Sequence, residues 1–114
     1  MITIEALNNY GADTNEGLTR WMNNEAFYLR LVGMGLADPN FEKLSQAVSA
    51  GDTKAAFESA HALKGIVGNL SLTPLYKPVA ELTDLLRGKE EMPDTSPYLE
   101  QIMDQYEKLR ALNS

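Results

Sequence analysis

The sequence has no cysteine, a single histidine and fewer basic than acidic residues. Without cysteine there is no disulfide framework, no thiolate nucleophile and no cysteine-ligated metal site. A formal net charge of -6 argues against nucleic acid and against an anionic membrane surface, because both reward lysine and arginine. No apolar stretch approaches the length of a membrane span, and the N-terminus lacks the pattern of a signal peptide. We therefore expect a cytoplasmic protein without membrane association.

What the chain does have is apolar residues at helical spacing, separated by capping residues, glycine and proline. Its 114 residues fit one domain, 1–114, with a core over about 15–112. The predicted helices cover Thr3–Asn9, Asn15–Met22, Asn24–Asp38, Phe41–Val48, Thr53–Leu70, Thr73–Arg87 and the chain from about Pro97 onward. Amphipathic helices joined by short loops favour an all-α fold, an antiparallel four-helix bundle with additional short N-terminal helices.

The spacing also predicts which residues are buried. In the third helix the predicted core stripe is Phe27, Leu31 and Met34. The alternative is that one or two of these side chains, or Phe41, form an exposed apolar docking patch for a partner. The helix over Thr53–Leu70 has a core seam at Ala56, Ala60, Leu63, Val67 and Leu70. Thr73 is expected to cap the next helix with its side chain. Pro78 conflicts with that helix, because proline deletes a hydrogen bond and crowds the preceding turn, so we expect an irregular start or a helix that begins only near Pro78.

The single histidine, His61, lies on a helix face beside the core seam. Residues at helical spacing from it, Phe57, Lys64, Gly65 and Gly68, share that face. Each glycine inside a helix costs roughly 1 kcal/mol relative to alanine. Glycines beside the only imidazole suggest a nucleophile kept clear of side chains so that a bulky reactant can reach it.

Several other chemistries lack their residues. No glycine-flanked serine indicates a hydrolytic triad, and Glu58 precedes His61 at metal-ligand spacing without a second such pair. No glycine-rich nucleotide loop is present, so the chain has no obvious means of using ATP by itself. A histidine that accepts a phosphoryl group needs exposure, a nearby cation and a bare flank. Lys64 and Gly65 supply the last two at the right helical offsets.

The run His61-Ala62-Leu63-Lys64-Gly65, followed by Asn69-Leu70, resembles the signature of histidine-containing phosphotransfer (Hpt) domains. That signature reads His-x-Leu-Lys-Gly, then a small residue, then Asn-Leu-Gly. The resemblance covers roughly Asn15–Arg87 and includes Asp38-Pro39, the Leu44–Val48 stripe and Gly51-Asp52. The chain departs from the family at Ser71, where a glycine usually occupies the turn after the helix. This departure bears on loop geometry more than on chemistry.

The resemblance implies a bundle that carries phosphate in histidine–aspartate signalling. His61 would be the phosphoacceptor, with Lys64 stabilising the phosphoryl oxygens and Gly65 giving steric access. The sequence does not fix which imidazole nitrogen carries the phosphate, although an exposed helix histidine is expected to present its outer nitrogen, Nε2. Phe57 and Gly68 are predicted to contact the partner, although Gly68 equally suits close helix packing. The chain would be a stand-alone carrier rather than a kinase.

The expected partners are a response-regulator receiver domain, a hybrid histidine kinase, or both. No cofactor or metal site is expected on the chain itself, and magnesium is expected on the receiver. The alternative is an adaptor or dimerisation module that keeps the Hpt fold but is not phosphorylated.

Overall fold

The computed structural model describes residues 1–113, which contain seven α-helices and no strand. The helices are α1 Ile4–Tyr10, α2 Thr14–Arg20, α3 Glu25–Leu36, α4 Asn40–Ser49, α5 Thr53–Asn69, α6 Thr73–Leu86 and α7 Ser96–Leu112. Helix α5 packs against α4 and α6, and α6 packs against α7. The rings of Phe41 and Tyr106 stack with centroids 4.2 Å apart and join α4 to α7. Because the connections 50–52 and 70–72 are short, α4, α5 and α6 alternate in direction. The predicted all-α bundle with short N-terminal helices is confirmed.

Helix α5 has the predicted start and the predicted buried seam. The Asp52 side chain accepts a hydrogen bond from the backbone N–H of Ala55 at 3.0 Å, and Gly51 turns the chain with φ +69. Every residue of the predicted seam is at most 5% exposed: Ala56, Ala60, Leu63, Val67 and Leu70. The seam contacts neighbouring helices, so it determines which face of α5 points to solvent.

Helix α3 buries a different face from the predicted one. Tyr28, Val32 and Leu36 are buried, whereas Phe27 is 38% and Met34 60% exposed. The helix is apolar almost all round, so hydrophobic periodicity does not select a face and tertiary contacts decide. The predicted stripe was therefore wrong by about one residue.

Tyr28 orients α3 through its contacts with Leu70 and Gly17. Its hydroxyl donates to the carbonyl oxygen of Leu70 at 2.7 Å, which satisfies the phenol inside an apolar interior. A Cβ at Gly17 would lie 2.5 Å from the ring Cζ, so only glycine leaves room for the ring. Burial, together with the carboxylates of Asp13 and Glu16, raises the pKa of Tyr28 to about 12.

Helix α2 begins and ends earlier than the predicted span Asn15–Met22. The Asp13 side chain accepts from the backbone N–H of Glu16 at 3.0 Å and so sets the start. Met22 and Asn23 have φ values of +60 and +55, a left-handed conformation in which an α-helix cannot continue. The chain therefore turns before the predicted end.

Helix α6 corrects both expectations about its first turns. Thr73 is its first residue rather than its cap, and the Thr73 hydroxyl donates to the carbonyl oxygen of Ser71 at 3.4 Å. The helix runs through Pro78 without a break, and Pro78 is buried. The missing N–H removes only the bond to Pro74 in the first turn, while burial of the ring favours the continuous helix.

We expect Gly17→Ala to lower the free energy of unfolding by about 1–3 kcal/mol, because the added methyl displaces the Tyr28 ring. Urea denaturation followed by circular dichroism measures the effect. In a Tyr28→Leu background the same substitution should cost much less, since the clashing ring is gone. Equal penalties in the two backgrounds would show that the Gly17–Tyr28 contact is not the cause.

Candidate functional site

His61 lies in the middle of α5 with an exposed side chain. Its neighbours Ala60 and Leu63 are fully buried, so the rotation of the helix directs the imidazole outward. Within residues 1–113 the imidazole has no hydrogen bond or ion pair. Its nitrogens are therefore open to a reactant that arrives from solvent.

An aromatic ring lies beside the imidazole on the N-terminal side. The Phe57 ring stacks on His61 with centroids 5.7 Å apart and an interplanar angle of 11°. The guanidinium carbon of Arg87 lies 5.1 Å from the centroid of the Phe57 ring, and Arg87 pairs with Asp84 at 3.7 Å. Phe57 was predicted on this face, but Arg87 was not anticipated, because it lies at the far end of another helix.

Lys64 and Gly65 occupy the next turn of α5, as predicted. Lys64 is partly exposed and forms no ion pair in the part of the chain that the structure describes. A Cβ at Gly65 would meet nothing within 4 Å, so packing of the chain on itself does not require this glycine. The surface beside His61 is consequently bare, with a lysine ammonium available close by.

Gly68 lies where α5 approaches α6 closely. A Cβ at Gly68 would lie 3.0 Å from Cε1 of the Tyr76 ring, tighter than ordinary van der Waals contact. The helix-packing role that the sequence left open for Gly68 is therefore present. Contact of Gly68 with a partner stays a prediction.

The carboxyl end of α5 is held by donors from the N-terminal part of the chain. Arg20 Nη1 donates to the carbonyl oxygens of Gly68 and Asn69, both at 3.1 Å, and Trp21 Nε1 donates to Asn69 at 3.0 Å. The Tyr28 hydroxyl bonds the next carbonyl. The last four carbonyls of a helix lack partners within it. We call Arg20, Trp21 and Tyr28 the α5 clamp. The sequence signal for it was the lack of a basic residue in the last turn of α5.

Ser71 adopts φ +57 in the turn after α5. Its hydroxyl donates to Glu16 Oε1 at 2.8 Å and accepts from Arg20 Nη1 at 3.3 Å, while its carbonyl accepts from the Asp13 N–H at 2.9 Å. A left-handed conformation costs a non-glycine residue about 1–2 kcal/mol, and these bonds offset that cost. The turn thus has the left-handed backbone that suits glycine, although the residue is serine.

A second surface feature borders the end of α5. Phe27, Leu31 and Met34 form the α3 outer face, on which Phe27 and Met34 are exposed and Leu31 is partly buried. The Trp21 ring meets Phe27 edge-on at 5.9 Å, and Trp21 is bonded to Asn69. The α3 outer face is therefore an apolar surface next to the last turn of the histidine helix.

Two further tests of the structure concern metals and membranes. Among residues 1–113, no group of three or more histidine, aspartate or glutamate side chains could hold a metal ion. In that same range no helix combines the length and apolarity needed to cross a bilayer.

Comparison with known proteins gives one match. A family model described as "Hpt domain" matches residues 36–112, a range that contains α4 to α7 and the His61 face. Neither the curated proteins nor the solved structures contain a match to the chain. The α5 clamp precedes residue 36 and so lies outside the matched range.

We expect Arg20→Met to lower the free energy of unfolding by about 1–2 kcal/mol, because it removes the donor to two helix-end carbonyls. The Arg20 side chain is 39% exposed, so water partly replaces the lost bonds and larger values are not expected. Urea denaturation followed by Trp21 fluorescence measures it. The control is Lys108→Met, which breaks only a surface pair with Asp104 at 3.2 Å and should cost well under about 1 kcal/mol. Equal losses in both variants would contradict a stabilising clamp.

Proposed function

Because the chain belongs to the Hpt domain family, we propose that it carries a phosphoryl group on His61 and exchanges it with the aspartate of a receiver domain in a two-component phosphorelay. Hpt domains in general serve histidine phosphotransfer and interact with receiver domains and histidine kinases. The observation that carries the proposal for this chain is an exposed imidazole with Lys64 in the next turn and an open flank at Gly65.

The proposed transfer is a displacement at phosphorus. Nε2 of His61 attacks the phosphorus of the aspartyl phosphate, the bond from phosphorus to the carboxylate oxygen breaks, and the carboxylate departs. Transfer in the other direction follows the same steps in reverse. The Lys64 ammonium lies one turn from the imidazole, where it offsets the charge of the phosphoryl oxygens. The receiver is expected to supply a magnesium ion that neutralises further charge.

The α3 outer face supports a protein partner rather than a small molecule. Asn69, next to this face, lies about 12 Å along the helix from His61 at 1.5 Å per residue. A typical protein interface covers roughly 800 Å² on each partner, enough to include both. We therefore assign the α3 outer face to the docking surface of the receiver, with Phe57 and Gly68 as proposed contacts nearer the histidine.

We expect wild-type protein to gain one acid-labile phosphoryl group when incubated with a phosphorylated receiver domain and magnesium, and His61→Gln to gain none. Intact-mass spectrometry measures the adduct. The substitution is on the surface, so the free energy of unfolding should change by well under about 1 kcal/mol. An adduct of equal yield on folded His61→Gln would refute His61 as the acceptor. A folded wild type that takes phosphate from none of several receivers would favour the adaptor alternative.

We expect Gly65→Ala and Gly65→Leu to slow transfer from the receiver in that order, because each occupies the open flank. Gly65→Ala should also raise the free energy of unfolding by up to about 1 kcal/mol, since alanine favours the helix. The matched control is Gly33→Ala, another helical glycine whose added Cβ meets nothing within 4 Å. It should gain similar stability without loss of transfer. Unchanged transfer rates in Gly65→Leu would contradict steric access as the reason for this glycine.

A further inference from the structure

Phe57 has a contact that phosphoryl exchange by itself does not require. His61 has no hydrogen-bond or ion-pair partner within residues 1–113, so no polar group there holds its ring. The aromatic contact of the imidazole is the Phe57 ring, one helical turn earlier. The orientation of the only histidine therefore depends on an apolar neighbour.

The geometry is that of a stable ring pair. A centroid separation of 5.7 Å with nearly parallel planes lies within the offset-stacked range that aromatic pairs prefer. Side chains on an α-helix lean toward its N-terminus, which brings the imidazole over the residue four positions earlier. The Phe57 ring therefore lies beside the imidazole on its N-terminal side, and the side toward Gly65 is open.

Phe57 is itself held in place by a second helix. Its ring packs against the hydrophobic core as a partly buried side chain. The Arg87 guanidinium lies 5.1 Å from the ring centroid, a cation–π contact, and Arg87 is the C-cap residue that follows α6. Asp84 pairs with Arg87 at 3.7 Å. The ring thus lies between the hydrophobic core and the Arg87 guanidinium at the end of α6.

We propose that Phe57 is a positioning residue, held by Arg87, that orients the imidazole of His61 for attack on phosphorus. This inference rests on the proposed function and adds to it the group that prepares the nucleophile. An imidazole that is already oriented reacts more often in each encounter than one that rotates freely. This positioning role acts on the rate of the chemical step and is separate from the proposed contact of Phe57 with the receiver.

A donor that needs no docking separates these two roles. Phosphoramidate transfers its phosphoryl group to histidine without a protein partner. The imidazole nitrogen forms a bond to phosphorus, the bond from phosphorus to the amine nitrogen breaks, and ammonia departs with its own protons. The rate of adduct formation by intact mass then reports the imidazole itself, and proton NMR of the single histidine gives its ring-current shift directly.

In Phe57→Leu the rate of phosphorylation by phosphoramidate should be about three- to tenfold lower than in wild type. This factor corresponds to the interaction energy of one aromatic pair. The His61 ring protons should at the same time lose their ring-current shift. Phe57→Tyr keeps the aromatic ring, so both the rate and the ring-current shift should stay close to those of wild type. The control Tyr106→Leu removes a partly buried aromatic ring that stacks on Phe41 rather than on His61, and it should leave both unchanged. Circular dichroism confirms that each variant is folded.

Each contrary outcome is distinct. An unchanged phosphoramidate rate in folded Phe57→Leu overturns the positioning role, and if receiver transfer alone declines, Phe57 is a docking residue. A wild type that phosphoramidate does not phosphorylate also overturns it, because an oriented and exposed imidazole should react. A wild type that accepts phosphate from phosphoramidate but from no receiver contradicts the proposed function, while the Leu and Tyr variants still decide the role of Phe57.

Discussion

The hydrogen bonds at the carboxyl end of α5 are the interaction on which the rest of this structure depends. Helix α5 contacts α4 on one side and α6 on the other, so its position sets the arrangement of the bundle. Its last turn has no basic residue, and its final carbonyls accept bonds from Arg20, Trp21 and Tyr28 instead. The N-terminal part of the chain therefore supplies the hydrogen-bond donors for the carboxyl end of the histidine helix.

The fold was predictable where local signals agree with one another. The start of α5 follows from the Asp52 cap, and its buried seam follows from Ala and Leu residues at strict helical spacing. Helix α3 has no clear division into a polar and an apolar face, because apolar residues occur on almost all of its sides. The sequence pattern therefore does not distinguish Tyr28 from Phe27 as the buried residue. Tyr28 is the buried residue because Gly17 leaves room for its ring. Hydrophobic periodicity along the chain does not predict a contact between two helices.

The residues of the candidate site likewise divide into those that helical spacing predicts and those that it does not. His61, Lys64 and Gly65 were identifiable because helical offsets place them together whatever the rest of the chain does. Arg87 was not, because it reaches Phe57 only through the packing of α6 on α5. Contacts of this kind depend on how two helices are rotated and offset relative to each other, which spacing along the chain does not specify.

Ser71 shows a consequence of building a glycine-like turn from another residue. A glycine would adopt the left-handed backbone without help, but Ser71 holds it through bonds to Glu16, Arg20 and Asp13. The conformation of this turn is thereby tied to residues of a different helix. Among relatives of this chain, the identities at positions 16, 20 and 71 should covary: serine with the acidic and basic pair, and glycine without that requirement.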